Sequence, residues 1–309
     1  MKVAITGGTG FVGSHLVKRL HTEGHTPVIF TRDTAKAQRI FPPSAFPNVQ
    51  FVAYTPLTSG PWQKEISGCE GVVNLAGAPI SERWSSAHKQ AILDSRKIGT
   101  EKLVEAIAQA DSKPSVLVSA SAIGFYSTSE TAIFDETSQP VKDDFLSQVC
   151  QAWEAAARQV EAIEGVRLVI PRIGIVLGNG GALGRMLTPF QLFAGGPIGS
   201  GKQWFSWVHL DDLVSLLIKA LTDPTLQGVY NATAPNPVRM EQVCEALGNA
   251  LNRPSWLPVP DFVIEALLGD GAVVVLEGQK VLPKHLQAEG FTYQYPTIDQ
   301  AMNAVVQSL

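Results

Sequence analysis

The eleven residues from Val3 to Gly13 constrain this chain more than any other stretch. Val3-Ala4-Ile5-Thr6 reads as a short buried strand, and Val12–Glu23 reads as an amphipathic helix. Between them lies Gly7-Gly8-Thr9-Gly10-Phe11-Val12-Gly13, which fits Gly-x-Gly-x-x-Gly from Gly8 and Gly-x-x-Gly-x-x-Gly from Gly7. Both are dinucleotide fingerprints. Glycines permit the tight turn and let the backbone approach a pyrophosphate. The helix N-terminus supplies N–H donors and the positive end of the dipole. A glycine turn without ligand is the alternative, but here a strand precedes it and a helix follows. Gly7, Thr9, Gly10, Phe11, Val12 and Gly13 are therefore candidate cofactor residues.

Strand-like runs recur at Thr26–Thr31, Val49–Tyr54, Val72–Ala76, Ser115–Ser119 and Val166–Arg172, with helical segments at Ser86–Ala110 and Asp144–Glu164. This alternation predicts an α/β fold with a doubly wound parallel sheet of the Rossmann type. Such sheets bind ligands beyond the carboxyl ends of their strands. After residue 173 glycines cluster at Gly178–Gly184 and Gly195–Gly201, and prolines from Pro235 to Pro260. The expected division is a nucleotide-binding domain over 1–172, which also takes elements from about 205–235, and a smaller substrate lobe over 173–309.

The totals exclude several classes. With 309 residues and 45% hydrophobic content the chain can bury a large core. A net charge of −4 and no long basic run argue against a nucleic-acid partner. Cys69, Cys150 and Cys244 are odd in number and far apart, which disfavours disulfides and a zinc site; no metal is expected. The longest apolar run, Leu168–Leu177, contains Pro171 and Arg172 and is too short for membrane insertion. No signal-like segment opens the chain. The expectation is a cytoplasmic monomer or homodimer acting on a small molecule.

Cofactor type is read at the end of the second strand, Thr31-Arg32. Position 32 lies nineteen residues after Gly13, where an NAD-binding protein places an acid for the ribose 2′-hydroxyl. Arg32 there suits a 2′-phosphate, so the expected cofactor is NADP(H). Asp33 could take the acid role but fits a helix cap better. At the end of the fourth strand, Asn74-Leu75-Ala76-Gly77 offers small residues against which a cofactor can pack. Leu75, Ala76 and Gly77 join the candidates.

These motifs, with Ser119-Ala120-Ser121-Ala122, resemble the extended short-chain dehydrogenase/reductase superfamily. Ser95-Arg96-Lys97-Ile98-Gly99-Thr100, Ser121–Tyr126, Phe205–Asp212 and Tyr230–Val238 bring the chain closer to an atypical "epimerase family" branch. Val281-Leu282-Pro283-Lys284 and Gly290-Phe291 look like the small C-terminal domain of that branch, over about 253–300. The resemblance covers nearly the whole chain. It implies an extended Rossmann fold, a C-terminal substrate lobe and NADP(H). Members carry sugar-nucleotide epimerase or cell-division-inhibitor labels. It also adds Thr31, Arg96, Ser119 and Arg172 to the expected cofactor residues. Arg96 stands where the superfamily commonly has Asn. It could bind an anion in the cleft or form a structural salt bridge.

The superfamily transfers hydride with a Ser/Thr and a Tyr-x-x-x-Lys pair. Residues at i and i+4 share a helix face, so Lys can hold the ribose and lower the Tyr pKa. Glu154 matches the acid that often follows the Lys by four residues. That alignment puts Leu146 in the Tyr position and Cys150 in the Lys position, and neither can do the chemistry. No Tyr in the chain has Lys at +4. Ser121 and Tyr126 are the candidate catalytic residues, with Glu130, Glu136, Glu154 and His209 as further acids and bases. Arg83, Trp84 and Lys89 follow a strand end and could meet an anionic substrate, as could Lys202. Trp204, Phe205 and Trp207 read as core or as a planar-ligand pocket. Two functions remain open: an oxidoreductase or epimerase with a non-standard proton donor, and a non-catalytic NADP(H)-binding regulator or scaffold.

Overall fold

The structure, a computed structural model, describes residues 1–309. Its first half runs β1 (Lys2–Thr6), α1 (Phe11–Thr22), β2 (Thr26–Thr31), α2 (Thr34–Ile40), β3 (Gln50–Ala53), β4 (Gly71–Asn74), α3 (Ser86–Gln109), β5 (Val116–Ser119), β6 (Ser121–Ala122), β7 (Ile133–Phe134), α4 (Phe145–Arg158) and β8 (Arg167–Ile173). There follow β9 (Ile175–Leu177), α5 (Gly181–Gln191), β10 (Trp204–Phe205), β11 (Trp207–His209), α6 (Leu210–Thr222), β12 (Gly228–Ala232), β13 (Val238–Arg239) and α7 (Met240–Leu251). The chain ends with α8 (Asp261–Leu268), α9 (Val273–Leu276), β14 (Lys280–Val281), α10 (Lys284–Ala288) and α11 (Ile298–Gln307).

The main sheet has the order β12-β8-β5-β4-β1-β2-β3, and β6 prolongs the β5 side of β8. Every pairing in it is parallel. The direction of winding reverses between β1 and β4, so their carboxyl ends flank the topological switch point. A parallel sheet needs both faces covered. Leu16, Val17 and Leu20 of α1 share one apolar core with Leu213, Leu216 and Leu217 of α6. Leu103, Val104 and Ile107 of α3 share the core on the opposite face with Ala157 of α4. A third core joins α5, α7 and α11 in the second half of the chain.

The doubly wound sheet is the one the sequence predicts, with β3 and β4 shorter than their apolar runs. The helix expected over 144–164 stops at Arg158, and a 3₁₀ turn over Gln159–Ala162 carries the chain into β8. β12 and α6, far along the sequence, complete the sheet edge and its cover. Phe205 and Trp207 are core residues, while the ring of Trp204 meets two cations, Arg239 and Lys280, at 3.6 and 4.6 Å from its centroid. No helix is long and apolar enough to cross a membrane.

The C-terminal segment is pinned by one buried carboxylate. Asp212, at the start of α6, accepts from the backbone N–H groups of Gln294 and Tyr295 at 2.7 and 3.1 Å. Burial pushes its pKa up, and the two N–H donors pull the other way. Asp212→Ala removes the acceptor of both part-buried amides, a loss of about 1–3 kcal/mol in total. The expected result is a lower urea midpoint for unfolding, with the circular dichroism of the native state retained.

Candidate functional site

The glycine turn after β1 is shaped by contacts that no side chain could share. Gly7 has φ of +71°, and a Cβ there would stand 2.8 Å from the Leu75 carbonyl. A Cβ on Gly13 would lie 2.2 Å from the carbonyl oxygen of Gly7. The turn therefore closes onto α1 and onto the end of β4 together. Gly10 caps α1 without any side-chain hydrogen bond, and no acid lies in the first turn. The helix presents free N–H groups and its positive end at the carboxyl edge of the sheet, an arrangement whose chemistry suits an anion. The ring of Phe11 packs on Gly178, Gly180 and Gly181, where an added Cβ would stand 2.9, 2.9 and 3.1 Å from it. The first of the two downstream glycine clusters thus serves the nucleotide turn.

The edge beyond β2 carries Arg32, exposed beside buried Thr31. Asp33 is engaged as the α2 cap, its Oδ1 accepting from Lys36 N at 2.8 Å. That leaves Arg32 as the charged side chain next to the strand end. Tyr54, just past β3, shares this region. Its pKa is pushed up to about 12 by burial, while the charge of Arg32 draws it down. Tyr54, Pro56, Ala76, Ser95 and Gly99 line a small cavity with Thr6 and Asn74 beside the switch point. Sequence reasoning missed Tyr54 and Pro56, although the rule that ligands sit past strand ends applies to β3 as it does to β2.

The floor of the cleft is a buried polar network. Thr6 Oγ1 donates to Asn74 Oδ1 at 2.7 Å, and Asn74 Nδ2 donates to Thr100 Oγ1 at 2.9 Å and to Ser119 Oγ at 3.2 Å. The backbone N–H groups of Leu75 and Ala76 both donate to Thr6 Oγ1. Four elements are locked in register under Leu75-Ala76-Gly77. Ser119 is completely buried here, with its hydroxyl accepting from Asn74 as part of the floor.

A second buried network holds the other end. Arg172 on β8 donates from Nε and Nη2 to Glu154 Oε1 and Oε2 at 2.7 and 2.9 Å, and from Nη1 to the Tyr126 hydroxyl at 2.9 Å. Tyr126 donates to Asn231 Oδ1 and Ser121 donates to Glu154 Oε1, both at 2.7 Å. The Arg172 guanidinium also lies 3.4 Å over the Phe125 ring. The sequence puts Ser121, Tyr126 and Arg172 at the ligand; the structure engages the polar atoms of all three with each other, Glu154 and Asn231. Burial pushes the Tyr126 pKa up to about 12, against the pull of Arg172. A general acid works best when its pKa lies near the working pH, so that shift runs the wrong way for catalysis.

Leu146 and Cys150 face Gly124, 3.5 and 3.7 Å from where its Cβ would be. Desolvation pushes the Cys150 thiol up to about 12, so it is no thiolate near neutral pH. Arg96 on α3 comes close to this place. Its Cζ is 2.9 Å from a Cβ built on Gly77, and it lies 5.2 Å from the Trp153 ring centroid. It forms no salt bridge. Arg83 and Lys89 instead reach the second half of the chain: Arg83 donates to the Ala266 carbonyl and Lys89 pairs with Asp270, both at 2.7 Å. Trp84 is buried against Phe145. His209 caps α6 through its Nδ1 and packs on Tyr295, and burial lowers its pKa. Glu136 accepts from the backbone N–H of Asn231, while Glu130 is exposed.

Residues 3–232 match the model of the NAD dependent epimerase/dehydratase family. The chain belongs to that family. Residues 259–305 further match a domain of unknown function, DUF1731. An Arabidopsis thaliana relative, Epimerase family protein SDR39U1 homolog, chloroplastic, is 50% identical over 99% of this chain and 87% of its own length. Epimerase family protein YfhF of Bacillus subtilis is 36% identical over 99% and 98% of the two chains. Among solved structures, human epimerase family protein SDR39U1 with NADPH superposes with a TM-score of 0.87 at 35% identity, covering all of both chains. A Bacillus cereus UDP-glucuronic acid 4-epimerase with NAD shares the fold at a TM-score of 0.78 and 17% identity, covering 99% of this chain and 96% of that one.

Within this epimerase-family chain the two networks divide the labour: one builds the floor under the strand ends, the other clamps α4 to the sheet. Glu154→Gln leaves the buried Arg172 without its counter-charge, a change that costs about 3–5 kcal/mol. Chemical denaturation should show that loss, far above the effect of substituting an exposed glutamate. Gly13→Ala forces a methyl group against the Gly7 carbonyl. It should abolish nucleotide binding in a fluorescence titration before it abolishes folding.

Proposed function

We propose that this protein binds NADP(H) across the carboxyl edge of its sheet and acts as an oxidoreductase or epimerase on a small molecule without a Tyr–Lys pair. The observation that carries the reading is the uncapped N-terminus of α1, held by Gly7 and Gly13 in a turn that only backbone can occupy. Phe11, Val12 and Gly13 offer N–H donors to a pyrophosphate, with Thr9 and Gly10 in the turn before them. Leu75, Ala76 and Gly77 form the surface on which the cofactor lies. Arg32, beside Thr31 and free of an ion pair, is the residue for a 2′-phosphate, and Tyr54 and Pro56 flank the adenine side. The bound NADPH of the human SDR39U1 structure supports the same cofactor here. NADP(H) would supply the hydride; the chain's own residues bind and orient it.

A second reading, an NADP(H)-binding regulator, is favoured by one observation. Ser121 and Tyr126, the two hydroxyls the sequence offers for catalysis, are both sealed in the Arg172–Glu154 network. The three cysteines are buried and free, which supports a reducing, cytoplasmic setting for either role.

Titration of the cofactor's fluorescence tests the assignment. NADPH should bind more tightly than NADH. Arg32→Asp should weaken NADPH by roughly tenfold or more, the size of a lost charge-assisted contact plus a new repulsion, and leave NADH nearly unchanged. Equal affinities in the unaltered protein would sink the 2′-phosphate reading. Release of oxidised cofactor in the presence of carbonyl compounds separates the enzyme from the regulator.

A further inference from the structure

We propose, resting on the NADP(H) reading above, that the substrate is an uncharged and largely aliphatic molecule. It is held on an apolar wall built from α4, the loop between β4 and α3, and α9. A nucleotide sugar is the class this wall does not suit.

Leu146 marks where the wall lies. It occupies the position of the superfamily's Tyr, and its Cβ is 3.5 Å from where a Cβ on Gly124 would be. The packing around it is apolar. Ile80 and Trp84 come from the loop after β4, Phe145 joins Leu146 on α4, and Val273 and Val274 come from α9. Trp84 is buried, but the other five are only half-buried although each has apolar neighbours. Apolar surface is therefore left accessible where the C-terminal segment meets the start of α4. The backbone before α9 brings it there. Gly269 has φ of +56°, and Gly271 is seated on the opposite loop. A Cβ on Gly271 would stand 2.9 Å from the Glu82 carbonyl oxygen and 3.2 Å from the Trp84 ring.

The charges at the rim point the same way. A nucleotide sugar carries a diphosphate, and a desolvated anion needs cations or N–H donors of its own. The cations beside the wall are engaged by the fold. Arg83 donates to the Ala266 carbonyl and Lys89 pairs with Asp270, both at 2.7 Å. Arg185 donates to the Ser81 carbonyl at 2.8 Å. Arg96, on the cofactor side, has its Nη1 on the carbonyls of Ala78 and Ile92. Arg172 is closed in its pair with Glu154. What faces the substrate side from these elements is methyl, methylene and ring carbon. Such a surface rewards apolar area and offers nothing to a diphosphate.

The test is calorimetric titration of the full chain with NADP⁺ bound, a form that cannot reduce a ketone. The ligands are butyl, hexyl and octyl methyl ketone, and UDP-glucose. Ketone affinity should rise by about threefold for each added methylene group, and UDP-glucose should give no heat of binding. Val274→Asp should flatten the ketone series while cofactor affinity stays as it was. Should that variant fail to fold by circular dichroism, Val274→Thr, which keeps the shape and adds a hydroxyl, should weaken every ketone in smaller measure. Ketone affinity that is undetectable or independent of chain length overturns the proposal. So does UDP-glucose binding more tightly than the ketones. A ketone series unchanged in the folded Val274 variant puts the apolar site elsewhere and overturns the wall. An unaltered protein that binds no NADP(H) overturns the cofactor reading instead, whatever the ketones do.

Discussion

The bidentate pair between Arg172 and Glu154 fixes how the two halves of the sheet's carboxyl edge meet. One partner sits at the end of β8 and the other on α4, and both are almost wholly buried. Each charge is tolerable there only because the other neutralises it and because Ser121, Tyr126 and Asn231 satisfy the remaining polar atoms. The network spans β6, the turn after it, α4, β8 and β12. Those elements frame the end of the cleft where hydride chemistry is performed in the wider superfamily. In this chain a hydrogen-bonded ion pair closes that end.

The cofactor end is built differently. Its floor is a chain of neutral hydrogen bonds through Thr6, Asn74, Thr100 and Ser119, and the turn above it offers backbone N–H groups. The charged side chain beside it, Arg32, is peripheral and exposed. Neutral scaffolding beneath an anionic ligand leaves the helix dipole and the few cations unopposed. This explains why a chain with net negative charge can still present a local site for a phosphorylated molecule.

Much of this was legible in the sequence. β1, the glycine turn and α1 follow from periodicity and from the conformations that only glycine adopts, and the parallel sheet follows from alternating buried strands and helices. Asp33 was readable as a cap because capping is local. What escaped depends on tertiary pairing. Nothing near Ser121 or Tyr126 in sequence announces that Glu154 and Arg172 will engage them. The strands β6, β7, β10, β13 and β14 have two residues each and no periodicity to read. The purpose of Gly178, Gly180 and Gly181 is set by the ring of Phe11, more than 160 positions earlier.

That last contact bears on how the molecule can be divided. The ring that steadies the start of α1 is housed by residues of the second half, and β12 from the same half covers the outer side of β8. A fragment cut at residue 172 would expose the apolar length of β8 as an open edge, ready to pair with other chains, and would leave Phe11 without its seat. The nucleotide-binding unit is contiguous in function but not in the chain. Loss of the C-terminal half would therefore disturb the glycine turn at the opposite end of the sequence.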